Sequence, residues 1–341
     1  MGYSKITLPK DAKFLITGAA GFIGSNLVEA LLNKGHKVRA LDNFSTGKKE
    51  NIKGFYLNSN FEFIEGDIKN IDTCRQVVDG IDYVLHQAAL GSVPRSMEYP
   101  LIYEDNNIKG TSNMMEAAKL ARVKRFVYAS SSSVYGDSSI LPKVEGAEGR
   151  LLSPYALTKK VNEEYGRLYT EIFGLECIGL RYFNVFGRRQ DPESQYAAVI
   201  SKFIKILLDG NKVTIHGDGE QSRDFTYVEN VIEANLKSCV ASKEACGQAY
   251  NIAVGERFTV NQMYDLMCKE LNISIEADYV EERAGDIKHS MADISKAAKF
   301  LEYNPEYRFK QGFRETLDWY KETMGCIKTK RTKQSMIISG G

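Results

Sequence analysis

The chain has almost no net charge: 45 Lys and Arg stand against 44 Asp and Glu in 341 residues, a formal balance of +1. Without a basic field there is no electrostatic footprint for nucleic acid or an anionic membrane, and neither partner is expected. Paired cysteines are missing too. The six, at 74, 177, 239, 246, 268 and 326, show no C-x-x-C spacing, which argues against a disulfide framework or zinc site and fits reduced thiols in a cytoplasmic protein. Only four histidines occur, at 36, 86, 216 and 289, none at ligand spacing, so no metal is expected. The start lacks a signal-peptide core, and no apolar run approaches the roughly 18 residues that span a bilayer. A soluble protein of the cytoplasm is the expectation. No internal repeat is visible.

What is present is periodic. Short β-type runs at Lys13–Thr17, Lys37–Leu41, Phe61–Glu65, Tyr83–His86, Arg125–Ala129 and Glu176–Leu180 alternate with helical patterns at Phe22–Asn33, Ile71–Val78, Tyr103–Ala121 and Tyr155–Phe173. This alternation predicts an α/β fold, with a Rossmann-type doubly wound parallel sheet over residues 1–184. Past Asn184 helices near Ala197–Leu208, Tyr227–Ala241, Val260–Glu270 and Gly312–Glu322 are separated by short strands and long polar connections. A smaller mixed α/β substrate-binding region is predicted over 185–325, with some crossover of the chain between the two. The basic, Gly-terminated stretch over 326–341 reads as a frayed tail.

Gly18-Ala-Ala-Gly21-Phe22-Ile23-Gly24 sits between the first strand and the first helix, with Asp42 ending the next strand. The first glycine permits a tight turn, the others allow close backbone approach, and the helix N-terminus offers free N–H groups to a pyrophosphate. Asp42 is placed to accept from the adenosine ribose hydroxyls. Its charge repels a 2′-phosphate and the following Asn43-Phe-Ser carries no Arg, so NAD is favoured over NADP.

Downstream, Tyr155 and Lys159 lie four apart after Pro154, whose fixed φ suits a first helical turn. They share one face. A neighbouring ammonium and a cationic nicotinamide both favour the phenolate and are expected to bring Tyr155 toward neutrality, as a general base for an alcohol proton. The two motifs together imply a nicotinamide-dependent enzyme.

With these motifs, and with Gly66-Asp67-Ile68, His86-Gln87-Ala88-Ala89, Asn106-Asn107, the serine run before Val134-Tyr135-Gly136, and Arg181-Tyr182-Phe-Asn184, the chain resembles the extended short-chain dehydrogenase/reductase family, and within it the sugar-nucleotide 4-epimerases. The resemblance runs from about Lys13 to Tyr320. It implies that Asp67 and Ile68 contact adenine, that Gln87, Ala88, Ala89 and Tyr182 line the cofactor together with Phe22, Ile23 and Asn43, and that Asn107 supports the site. His86 is read as structural. Ser131 takes the place of the family's Ser or Thr that hydrogen-bonds the reacting hydroxyl, and Lys159 binds the nicotinamide ribose. Related dehydratases and decarboxylases carry acids where this chain has Ser132 and Ser133, and hydroxyls are poor acids and bases for water elimination, so dehydration is disfavoured.

In the second half the resemblance assigns Val213, Ile215, Arg223, Arg283 and Asp286 to the nucleotide and its diphosphate, where a guanidinium fork suits phosphate. Asn184 is assigned to the diphosphate or sugar. Arg188 and Arg189 read equally well as a phosphate contact or as solvated charges. Ser290 stands where glucose/galactose-specific relatives have a bulky Tyr beside C2, and Gly91, Ser92, Ala198 and Val199 resemble the wall of epimerases that prefer N-acetylated sugars. The implied reaction is NAD-dependent epimerisation of UDP-N-acetylglucosamine and UDP-N-acetylgalactosamine at C4 through a 4-keto sugar, with plain hexoses as additional substrates. Another UDP-sugar such as UDP-N-acetylglucosaminuronic acid is the alternative, which an extra cation near C6 would favour. A non-catalytic NAD-sensing protein is a remote one, since it has no need of Ser131, Tyr155 and Lys159 together. The resemblance also implies a homodimer through the helices near Tyr103–Ala121 and Tyr155–Phe173.

Overall fold

In the first half, helices cover both faces of a sheet whose central strands are buried end to end, as a parallel arrangement requires. A computed structural model describes residues 2–193, 199–282 and 288–338 of the chain. Strands β1 (Lys13–Thr17), β2 (Lys37–Asp42), β3 (Phe61–Glu65), β4 (Tyr83–His86), β5 (Arg125–Ser131) and β6 (Cys177–Tyr182) all run parallel. Between them come α1 (Phe22–Asn33), α2 (Ile71–Val78), α3 (Val93–Glu98), α4 (Pro100–Tyr103), α5 (Gly110–Leu120) and α6 (Pro154–Glu171). The helix expected over Tyr103–Ala121 is broken by a π-helical turn, Glu104–Lys109, that carries the buried Asn107. Pro154 does open α6, capped by Ser153 Oγ, which accepts from the Ala156 N–H at 3.1 Å.

The remaining elements are β7 (Val185–Phe186), α7 (Val199–Leu208), β8 (Thr214–His216), β9 (Ser222–Arg223), β10 (Thr226–Tyr227), α8 (Val228–Val240), β11 (Gln248–Ile252), β12 (Phe258–Thr259), α9 (Val260–Leu271), β13 (Asp278–Val280), α10 (Ser295–Leu301) and α11 (Phe309–Ile338). Residues 326–338, expected to fray, fall within the backbone of α11. Here the chain does cross over: β11 joins β6 as the seventh strand, giving the order β11-β6-β5-β4-β1-β2-β3. Periodicity misses β11 because Asn251 in its middle looks like a loop residue. It is fully buried, accepting from Tyr135 Oη at 2.7 Å and donating to the carbonyls of Lys143 and Asp293 at 2.9 and 3.0 Å.

One face of the sheet packs Leu27, Leu31, Val231 and Ile232 from α1 and α8, and the other packs Val77, Met114 and Met115 from α2 and α5. The smaller region has its own core, around Phe203, Phe225, Tyr227, Phe309 and Phe313. Strand order reverses between β1 and β4. In open α/β sheets ligands bind at the carboxyl ends of strands at such a reversal, and that is where the motif residues converge.

Candidate active site

The turn after β1 is shaped by contacts that tolerate no side chain. Gly18 has φ +66°, and a Cβ on it would lie 2.8 Å from the Ala88 nitrogen; a Cβ on Gly24 would lie 2.0 Å from the Gly18 carbonyl oxygen. The loop therefore presses against both β4's extension and α1. No side chain caps α1, which leaves its first N–H groups for an anion. Asp42, at the end of β2, accepts from the Ala20 and Phe44 N–H groups at 2.9 and 2.8 Å. Burial pushes its carboxyl up while these donors pull it down.

These residues line a cleft of about 750 Å³ that also holds Phe22, Ile23, Asn43, Ile68, Ala88 and Ala89. Asp67 stands behind the wall, accepting from Asn43 Nδ2 at 3.0 Å. Asn107 is likewise one layer back, where its side chain accepts from the Leu90 N–H at 2.9 Å and donates to the Leu90 carbonyl at 3.0 Å and to Thr158 Oγ1 at 3.1 Å. It fixes the segment after Ala89. Gln87 and Tyr182, both in the wall, close a ring with Asn235: Tyr182 Oη donates to Gln87 Oε1 at 3.1 Å, and the Asn235 amide joins both. His86 is buried between Thr17 and Thr111 at 2.8 and 3.0 Å, and burial lowers its pKa to about 3. It is a neutral structural residue.

Deeper in the cleft, Tyr155 and Lys159 from α6 meet Ser131 at the end of β5. The Ser131 hydroxyl shares the cleft with the Tyr155 phenol and favours its ionised form, and Lys159 Nζ, 5.8 Å from the Tyr155 ring centre, donates to the Ala129 carbonyl at 2.8 Å. One expectation needs correcting. Burial is the largest influence on the Tyr155 phenol and pushes it up, Ser131 pulls it down, and Tyr103 adds to the rise. Burial also lowers Lys159, to about 8. The protein by itself does not bring the phenol to neutrality; of the two cations named above, that leaves the nicotinamide.

The cleft also carries Gly91, Ser132, Ser133, Asn184, Arg223 and Ser290. Ser133 Oγ is buried without a hydrogen-bond partner among the described residues. Asn184, at φ +36°, donates to the Asp224 carbonyl at 3.0 Å. An adjoining hollow of about 470 Å³ shares Gly91, Asn184 and Arg223 and adds Ser92, Val199 and Ile215, with Phe186, Phe203 and Phe225 as an apolar lining. Ser92 Oγ caps α3 by accepting from the Arg95 N–H. Val213 is wholly buried in the core behind this hollow. Ala198, Arg283 and Asp286 lie outside the described residues.

Arg188 and Arg189 are neither solvated nor aimed at the cleft. Arg188 pairs with Glu29 and Glu229 at 2.9 and 2.5 Å and Arg189 with Glu29 at 2.6 Å, tying α1 to α8. Sequence reasoning misses Lys143, which also lines the cleft. It is buried in the loop after β5, its ammonium donating to the Ser138 carbonyl, and its backbone bonds Met291 and Asp293 beside Ser290. Nothing near it in sequence signals that placement.

A family model described as the NAD dependent epimerase/dehydratase family matches residues 14–253. The chain belongs to this family. A UDP-N-acetylglucosamine 4-epimerase from Methanobrevibacter ruminantium M1, solved with UDP-N-acetylmuramic acid, is 40% identical with a TM-score of 0.88 over 92% of this chain and 100% of that one. A UDP-glucuronate 4-epimerase of Thermodesulfobacterium geofontis is 34% identical over 93% of this chain and 98% of its own length. A UDP-glucose 4-epimerase of Mycolicibacterium smegmatis is 33% identical over 90% and 98% respectively. NAD is this family's cofactor, and the side-chain-free cradle of Gly18, Gly21 and Gly24 with Asp42 at its end suits a dinucleotide.

Proposed function

We propose that this protein is a UDP-sugar 4-epimerase that interconverts UDP-N-acetylglucosamine and UDP-N-acetylgalactosamine. The observation that carries the substrate is Ser290, a small residue on the wall of the cleft that holds Ser131 and Tyr155. It leaves room for a 2-acetamido group without excluding a plain hexose, since selectivity is a difference in affinities.

NAD, when bound, supplies the nicotinamide that accepts and returns hydride. Tyr155 takes the proton of the C4 hydroxyl, and Ser131 hydrogen-bonds that oxygen while it loses its proton. Lys159 binds the nicotinamide ribose and, below a pH of about 8, holds a positive charge near the phenol. Phe186 and Phe225 grip the base, and Arg223 and Asn184 the diphosphate. Small or hydroxylic side chains, Gly91, Ser132, Ser133 and Ser290, stand on the wall around the sugar, which leaves the hexose room to present its other face while the nucleotide stays fixed.

A second reading, a UDP-hexuronic acid such as UDP-N-acetylglucosaminuronic acid, is favoured by one observation. Lys143 places a cation on the cleft, with no carboxylate paired to it among the described residues.

The test is NMR of the purified protein with UDP-N-acetylglucosamine, UDP-glucose and UDP-glucuronic acid separately, alongside Tyr155→Phe and Ser290→Tyr. Growth of galacto signals without net NADH, lost in Tyr155→Phe, is expected. Ser290→Tyr should lower turnover of the acetamido sugar at least about 100-fold relative to UDP-glucose, the scale of a steric clash that a packed wall cannot relieve. Equal loss for both sugars overturns the role of Ser290, and faster turnover of the uronic acid favours the second reading.

A further inference from the structure

Three successive turns of α6 meet the end of β5. Tyr155 shares the cleft with Ser131, and Lys159 Nζ donates to the Ala129 carbonyl at 2.8 Å. Glu163, a turn further on, accepts from Ser130 Oγ at 2.6 Å. A spacing of four places these side chains on one helix face. Only the first two belong to the chemistry described above.

Glu163 is also held from the neighbouring strand. Arg181 on β6 donates from Nε and Nη2 to its two oxygens, both at 2.8 Å. Ser130 and Arg181 are register partners across β5 and β6, as are Ser131 and Tyr182. Ser130, Glu163 and Arg181 are 2, 7 and 3% exposed. On its other side Arg181 lies 2.5 Å from Glu148 in the loop after β5. Charge-assisted bonds in so dry a setting are stiff, and a buried ion pair adds little net stability by itself, so its effect here is geometric.

We infer that Glu163, held by Arg181, is a positioning residue: it fixes the end of β5 against α6 and thereby sets where the Ser131 hydroxyl stands relative to the Tyr155 phenol. This rests on Tyr155 as the base. Around Tyr155 stand Lys159 on its own helix, Ser131 on β5 and Tyr103 on α4, whose ring centre is 6.3 Å away. Around Glu163 stand Lys160 at 3.5 Å on its own helix, Arg181 on β6, Tyr128 on β5 and Lys296 on α10. A bond from Ser131 favours the phenolate. Displacing Ser131 raises the pH at which Tyr155 becomes active and slows proton transfer.

The experiment is the pH dependence of epimerisation by the holoenzyme carrying Glu163→Gln or Ser130→Ala, with Tyr155→Phe as reference. Both variants should lose about 10- to 100-fold in kcat, the scale of a small misplacement at the reacting groups. KM should stay within about twofold, and the acidic limb of the profile should move up by about half a pH unit or more. Ser130→Ala is nearly isosteric and keeps the Glu163–Arg181 pair, so it reports even if Glu163→Gln folds poorly. An inactive Tyr155→Phe beside a Ser130→Ala enzyme with wild-type kcat and an unmoved limb overturns this inference alone. Turnover by Tyr155→Phe overturns the base assignment and this inference with it.

Discussion

Replacing Gly24 by Ala should weaken NAD binding severely while leaving the protein folded, and Gly21→Ala should do far less. A Cβ at position 24 meets the Gly18 carbonyl oxygen at 2.0 Å, against 3.4 Å for ordinary contact, whereas at position 21 the same oxygen is 3.1 Å away. The obstacle at 24 is backbone, so the turn or the start of α1 must move by more than an ångström. That is enough to break two hydrogen bonds from the helix N-terminus to a pyrophosphate, each about 1.5–3 kcal/mol when charge-assisted. The NAD Kd should rise by about 10²- to 10⁴-fold for Gly24→Ala and less than about tenfold for Gly21→Ala. Isothermal calorimetry on cofactor-stripped protein measures both, with circular dichroism to show that each variant is folded. A Gly24→Ala protein that binds NAD within threefold of wild type, or two variants equally impaired, would refute the close-approach account.

Burial holds His86 at about 3 against an ordinary 6.5. Below pH 6.5 the unfolded chain takes up a proton that the fold refuses until about pH 3, so this residue withdraws about 1.4 kcal/mol of stability per pH unit through that window and none above it. The stability difference between wild type and His86→Gln in urea should therefore change by about 2 kcal/mol between pH 7.5 and 5; a constant difference would show that His86 titrates normally. A homodimer through the stretch Tyr103–Ala121, which holds α5, and through α6 is also expected, because Leu120, Leu157, Ile172 and Phe173 on and beside these helices are 57, 50, 65 and 52% exposed. Sedimentation at micromolar concentration should give twice the chain mass, and Leu157→Glu should halve it; a monomeric wild type removes the proposal.

The first half of the fold is readable from sequence because its signals are local. The boundaries of β1, α1, β3, α2 and β4 follow from apolar periodicity and punctuation, and the glycine turn announces itself within seven residues. Polar residues mislead where their partners are distant. Asn251 looks like a loop residue and sits within β11, and Arg188 finds carboxylates on α1 and α8 about 160 and 40 residues away in sequence. Lys143 and Glu163 carry no local mark at all. The phenol of Tyr155 is misjudged from sequence for a related reason: spacing reveals a lysine one turn away, but how much water the fold removes is a tertiary quantity.

The arrival of β11 from the far half has a consequence for how the molecule is made. Until α8 has left the ribosome, α1 lacks the apolar partner on its sheet face, and until residue 252 has followed, β6 is an open edge. An N-terminal fragment ending near 184 is therefore an incomplete object, with an unpaired strand edge of the kind that recruits other chains. A nascent chain of this protein has to be kept from its neighbours through about three quarters of its synthesis, and a chain cut between its two regions should aggregate rather than yield a free dinucleotide-binding domain.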